Sequence, residues 1–175
     1  GSLLGEFLAS RGMKGSLANS IVSSRLLSRI ARAHGLDHHT TLTGFKWIAR
    51  APGLGFGYEE AIGFCPDPAH VRDKDGIATS VVAASLVAAL KAQGRSVWDE
   101  LERLARLHGL HVSSPLTFRV EQIEQIASGM ARLRAQPPSV LAGSPVVEVS
   151  DLSQGYRGLP PTDGVLVLTK AGDRV

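Results

Sequence analysis

One cysteine, Cys65, is all the thiol that the 175 residues hold. It cannot close an internal disulfide, so a cross-linked framework is excluded, and a reducing, cytoplasmic setting is the expectation. Aromatic residues are scarce at 5%, which leaves Leu, Val, Ile and Ala to fill the core. No apolar run approaches the roughly 20 residues that span a bilayer. The longest, IATSVVAASLVAAL at 77–90, is interrupted by Thr79, Ser80 and Ser85 and reads as a buried helix. Neither a secretory leader nor a membrane partner is expected. The net charge is only +3, despite a pI near 9.4. That excess is too small to argue for nucleic acid as a partner. What is present is an aliphatic composition, 43% hydrophobic, suited to a packed core rather than a disordered chain.

Periodicity predicts a helix over 3–11, with Leu3, Leu4, Phe7 and Leu8 on one side. Gly1 and Ser2 are left outside this reading. LANSIVSS (17–24) reads as a short buried strand, and 24–35 as an amphipathic helix capped by Ser24. HHTTLTG (38–44) is a strand entering a turn. GLGFGYEE (53–60) is a strand whose glycines permit a bend or a ligand's approach. Helices follow over 76–94 and 96–109. The second opens with Ser96 and Asp99 at capping-box spacing and turns Val97, Trp98, Leu101, Leu104 and Leu107 inward.

Strands alternating with helices predict an α/β fold, a layered domain with a mixed sheet flanked by helices, over 1–112. Composition then shifts. SPLTFRV (114–120) reads as a strand, 121–136 as a helix, and PPSVLAGSP (137–145) as a connector. VVEVSD (146–151) and GVLVLTK (164–170) read as strands. This second unit, 113–175, is read as a truncated α+β domain whose last hairpin opens at AGDRV without a return strand.

Three stretches carry chemistry. In TLTGFKW (41–47), Thr43 and Gly44 sit at a strand-to-helix turn whose amides and hydroxyl suit a polar ligand, with Lys46 placed for a phosphate. Equally, Thr43 caps the helix and Lys46 is solvated. In GYEEAIG (57–63), Glu59 and Glu60 are flanked by glycines that allow close approach. A carboxylate grips vicinal hydroxyls, which suits a sugar. On a regular strand the two would face opposite sides, so both meet one ligand only where the strand dissolves into a loop. Two solvated glutamates are the alternative. VRDKDG (71–76) offers Arg72 and Lys74 to an anion, with Asp75 an N-cap for the next helix, or else it is a solvated charged turn.

Elsewhere Arg25, Arg29 and Arg32 share a helix face and read as solvated. His34, His38 and His39 lack the spacing of a metal site, and Cys65, next to a proline in a loop, reads as an idle thiol.

Together, TLTGFKWI, FGYEEAIG and VRDKDG in this order resemble domain 3 of the α-D-phosphohexomutase superfamily, the phosphoglucomutase/phosphomannomutase enzymes. The likeness runs from about Leu3 to Val112, and the tail SPVVEV…LPPTDGVLVL resembles the opening of that family's domain 4. The resemblance implies that Glu59 and Glu60 bind sugar hydroxyls, that Lys74 lies near the substrate phosphate, and that Thr43 and Gly44 line the sugar's other side. Arg72 joins them as a candidate substrate ligand. Ala61 stands where many members have Ser, which leaves the choice among glucose, mannose and pentose open. The family's phosphoserine motif, its aspartate-rich Mg²⁺ loop and its phosphate clamp are not found in these residues. The implied parent is therefore a Mg²⁺-dependent phosphomutase, an isomerase of carbohydrate metabolism acting on hexose phosphate and hexose bisphosphate. Its catalytic residues, Mg²⁺ ligands and remaining domains lie outside this chain, which is expected to be inert alone. A phosphopentomutase or glucosamine-phosphate mutase of the same architecture, or a non-catalytic α/β binding module, is the alternative.

Overall fold

The computed structural model describes residues 1–175 and divides into two compact units, Gly1–Ser114 and Pro115–Val175. The division falls two residues beyond the break read from composition.

In the first unit the elements run α1 (Ser2–Ser10), β1 (Ser16–Ser20), α2 (Leu26–Ala33), β2 (His38–Thr41), α3 (Phe45–Ile48), β3 (Leu54–Glu59), β4 (Gly63–Cys65), α4 (Gly76–Ala92) and α5 (Val97–His108). The sheet order is β2-β1-β3-β4. β1 pairs parallel with β2 and with β3, and β3 pairs antiparallel with β4. The sheet is thus mixed and flanked by helices, an α/β fold. All five residues of β1 are buried, as a central strand covered on both faces requires. Neighbouring side chains on it point to opposite faces. Leu17 joins Leu4, Phe7, Leu27, Ile30, Phe56, Leu86, Leu90 and Leu104 in one core cluster. Ala18 joins Phe45, Ile48, Leu54 and Cys65 in the other.

Local signals place the helix starts. The Asp75 carboxylate accepts the Ala78 N–H at 2.9 Å to cap α4. The Ser96 hydroxyl accepts the Asp99 N–H at 3.2 Å, while the Asp99 carboxylate accepts the Ser96 N–H at 2.6 Å, a reciprocal capping box that opens α5. The Ser96 N–H and, at 2.8 Å, the Ser96 hydroxyl both donate to the Asp99 carboxylate and hold it below its usual range.

Several expectations are corrected. α1 begins at Ser2, whose hydroxyl lies 3.4 Å from that of Tyr58, so the first residues belong to the fold. The first strand ends at Ser20, and Val22 is exposed. α2 starts at Leu26, two residues after the expected cap, with the Ser24 hydroxyl accepting the Leu26 N–H at 3.5 Å. α4 buries only Leu86 and Leu90, and Ile77, Val81 and Val87 are exposed. On α5 Leu104 is fully buried, but Trp98 is 79% exposed and Leu101 and Leu107 are also exposed. Glu100, not an apolar residue, takes the second inward place. Residues 114–120 form no strand, because no neighbouring strand completes their hydrogen bonds. Cys65 is buried at the end of β4 rather than in a loop, and burial, with Asp67, Asp73 and Asp75 adding, pushes its thiol up to about 11.

The second unit holds α6 (Glu124–Ala135), which buries no residue, and an antiparallel sheet of β5 (Val140–Leu141), β6 (Ser144–Asp151) and β7 (Val165–Thr169) in the order β5-β6-β7. Arg134 binds Asp151 at 3.1 Å and Asp163 at 2.6 Å. The last hairpin does return. The Val167 N–H donates to the Val175 carbonyl at 2.7 Å, and the Val175 N–H donates back at 3.0 Å.

Candidate functional site

The three parallel strands end at Ser20, Thr41 and Glu59, and ligands of open α/β sheets bind off such carboxyl ends. Two of the quoted stretches leave the sheet there. After β2 the chain turns through Thr43 and Gly44 into α3. Gly44 has φ 112°, a backbone shape that side chains disfavour. β3 ends at Glu59 and folds back into β4 through a turn at 60–62, with Glu59 in register with Gly63. The third stretch follows β4 and is tied to it by the Asp75 N–H, which donates to the Phe64 carbonyl at 2.8 Å.

These turns meet at the Glu59 carboxylate, which is only 4% exposed. Its Oε1 lies 2.9 Å from the Lys74 ammonium. Its Oε2 accepts the Gly44 N–H at 3.2 Å. The Lys74 ammonium also stands 5.6 Å from the centre of the Phe45 ring, within range of a cation–π attraction. Its side chain remains 48% exposed, so the cation is anchored on one side and wet on the other. The hydrogen bond to Glu59 raises the Lys74 pKa, which keeps the ammonium charged.

The structure therefore brings together Glu59, Lys74 and Gly44, and adds Phe45 and Gly63. Glu60, the first residue of the turn, is exposed and makes no hydrogen bond or ion pair. Thr43 and Arg72 are exposed and bind no side chain, and no hydroxyl of Thr43 caps α3. Lys46 lies beside the Trp47 ring at 5.7 Å rather than in the cluster. Phe45 was passed over in the sequence for Lys46, although it directly follows Gly44. The signal was the glycine itself, which frees the backbone for an amide to point at an acid.

Other polar groups are accounted for elsewhere. His34 lies 2.9 Å from Glu6, while His38 lies 3.0 Å from Asn19. Burial, aided by His39, pushes His38 down to about 4. No three His, Cys, Asp or Glu side chains converge to hold a metal. Glu59 is committed to a cation and an amide, so its surroundings do not suit Mg²⁺, which needs a shell of hard oxygen donors. A hollow of about 330 Å³ lies between α1, α4 and α5, bounded in part by Glu6, Phe7, Arg11, Leu86, Arg95 and Arg103. Arg103 and Arg95 are already bound to Glu6 and Glu100 there.

Residues 1–107 match the family model described as phosphoglucomutase/phosphomannomutase, alpha/beta/alpha domain III. A protein of Haemophilus influenzae called a probable phosphomannomutase is 41% identical over 153 residues, 86% of this chain and 32% of its own length. A phosphoglucomutase of Staphylococcus aureus is 32% identical over 145 residues, 77% of this chain and 26% of its own. A crystal structure of a phosphomannomutase described as putative, from Thermus thermophilus, superposes with a TM-score of 0.63 at 24% identity, over 97% of this chain and 32% of that one. The chain thus spans about a third or less of the length of the relatives it matches. With the resemblance of the three stretches, the family model and the relatives in agreement, the chain belongs to the phosphoglucomutase/phosphomannomutase family.

Proposed function

We propose that this chain is the sugar-recognition part of a phosphosugar mutase, which interconverts the 1- and 6-phosphates of a hexose through a phosphoserine and a bisphosphorylated sugar. The phosphoserine, the Mg²⁺ site and the phosphate clamp belong to the rest of the parent chain, and these residues alone do not turn substrate over. The observation that carries this reading is the buried Glu59 carboxylate holding the half-exposed Lys74 ammonium at 2.9 Å, off the carboxyl ends of the sheet.

The chemistry follows from donors and acceptors. An ammonium has three N–H groups. Glu59 takes one, and the others face solvent, where a phosphate oxygen is the natural acceptor. Each Glu59 oxygen holds one donor and keeps a lone pair for a sugar hydroxyl. Glu60, exposed beside it, supplies a second carboxylate at the rim. Lys74 fixes the anionic end of the substrate, and the acids read its hydroxyls. Gly44, with its exposed chain neighbour Thr43, and Arg72, two residues before Lys74, are assigned lesser contacts in this reading.

Titration calorimetry of this chain with glucose 6-phosphate and mannose 6-phosphate tests the reading. Lys74→Ala should weaken binding about tenfold or more, the size of a charge-assisted hydrogen bond. Equal affinity in wild type and variant would remove Lys74 from the site, and measurable mutase turnover by the chain alone would refute its division of labour.

A further inference from the structure

The Glu59–Lys74 pair is built across a glycine. Gly63 stands opposite Glu59 in the β3–β4 hairpin and is buried. A Cβ added to it would lie 2.8 Å from the Glu59 Cγ, 2.8 Å from the Lys74 Cε and 3.0 Å from the Glu59 Oε1. All three are side-chain atoms of the pair itself, and no backbone atom is among them. A methyl group here therefore leaves the strand intact and evicts the two side chains. Gly5 and Gly57 are crowded by apolar side chains, Leu27 and Ile48, each at 2.5 Å, and two further glycines by backbone. A Cβ at Gly15 would meet the Gly53 carbonyl oxygen at 2.3 Å, and one at Gly55 would meet that of Lys14 at 2.3 Å, so both serve the backbone.

The geometry points to Gly63 as a positioning residue. Its missing side chain is the space in which Glu59 and Lys74 pair, and that pairing presents Lys74 as a fixed cation to the substrate's anionic group. This rests on the proposed function for the identity of the anion, but the pairing stands apart from it. Three restraints hold the cation: the Glu59 carboxylate at 2.9 Å, the Phe45 ring at 5.6 Å and the bare backbone of Gly63. A lysine tethered in this way gives up little rotamer freedom when a ligand arrives, which favours binding. It also stays protonated, and so acts as an electrostatic anchor rather than as a proton acceptor.

The test uses the 175-residue chain and two readouts. The first, without ligand, is the titration of the Lys74 ε-ammonium by nitrogen-15 NMR. In wild type it should titrate above the ordinary lysine range, and in Gly63→Ala it should fall back toward that range while circular dichroism shows the fold retained. The second is binding of inorganic phosphate and of glucose 6-phosphate, which Gly63→Ala should weaken about three- to tenfold. Glu59→Gln should reproduce both changes, and Gly63→Ala added to Glu59→Gln should cost nothing more, a non-additivity that a purely structural glycine would not show. A Lys74 titration unmoved by Gly63→Ala overturns the proposal. If Gly63→Ala fails to fold, the Glu59→Ala background removes two of the three close contacts and leaves only the flexible Lys74 stem; a double variant that folds supports the proposal, and one that still unfolds overturns it. A moved titration with unchanged ligand affinity would keep the pairing and refute the sugar-phosphate reading instead.

Discussion

Glu59 and Glu100 are both buried acids gripped by basic side chains, at 4% and 6% exposure, and they differ in what is left over. Glu100 takes Arg95 at 2.5 Å and Arg103 at 2.6 Å, and Arg103 reaches on to Glu6 at 2.5 Å. That cluster closes on itself. Each acid is matched, and it joins α5 to α1 across 97 residues of chain. Glu59 has one half-exposed lysine and one amide, and its cation still faces water. The same residue types thus make a cross-link in one place and an open receptor in the other. Saturation, more than burial or charge, separates the two roles.

The comparison can be broken most forcefully at Arg103. Arg103→Ala leaves Glu6 and Glu100 buried and short of a partner, which should cost about 3 kcal/mol of unfolding free energy by urea denaturation. Glucose 6-phosphate affinity should not change, and a matched loss of affinity would erase the distinction between cross-link and receptor.

Acidification gives a smaller effect. The Glu100 carboxyl is held low first by its hydrogen bond to Arg103. Its stabilisation is present above its unfolded value and is lost as pH falls through the depressed one. His38 adds an earlier loss. It stays neutral in the fold down to about 4, against 6.5 when unfolded, so stability falls as pH drops through that window, by about 2 kcal/mol after allowance for its partial exposure. His38→Gln should flatten the loss between pH 6.5 and 4 and leave the steeper one below, and Glu100→Gln should do the reverse. Lys74 is raised, so its share is present in acid and lost only as pH climbs past the ordinary lysine range.

The smallest effect is a control. Glu102 and Arg106 form an ion pair on α5 with 60% and 77% of their side chains exposed. Glu102→Ala should shift stability by less than about 0.5 kcal/mol, and a larger change would show that exposed pairs here matter as saturated buried ones do.

Much of this was legible in the residues, for reasons that can be named. Asp75 and the Ser96–Asp99 box announced α4 and α5 because capping is local chemistry. Glu59, Gly44 and Lys74 stood out through glycines and the resemblance of their stretches. Trp98 and Leu107 misled because a helix's apolar stripe does not say what covers it. Residues 114–120 have strand-forming side chains, yet a strand exists only with a neighbour. β4 escaped notice because three residues carry too little pattern. The Glu6–Arg103 contact was invisible because nothing local records a pairing 97 positions apart.

The tight return from β3 into β4 has an implication for how this segment tolerates change. Glu59 and Glu60 are chemically alike, and only their places, the last residue of β3 and the first of the turn, leave one buried and the other exposed. Insertion of one amino acid directly ahead of them would push Glu59 into the exposed turn and set the newcomer opposite Gly63. Deletion of one would draw Glu60 into that buried place, so a shortened hairpin keeps an acid beside Lys74 and a lengthened one loses it.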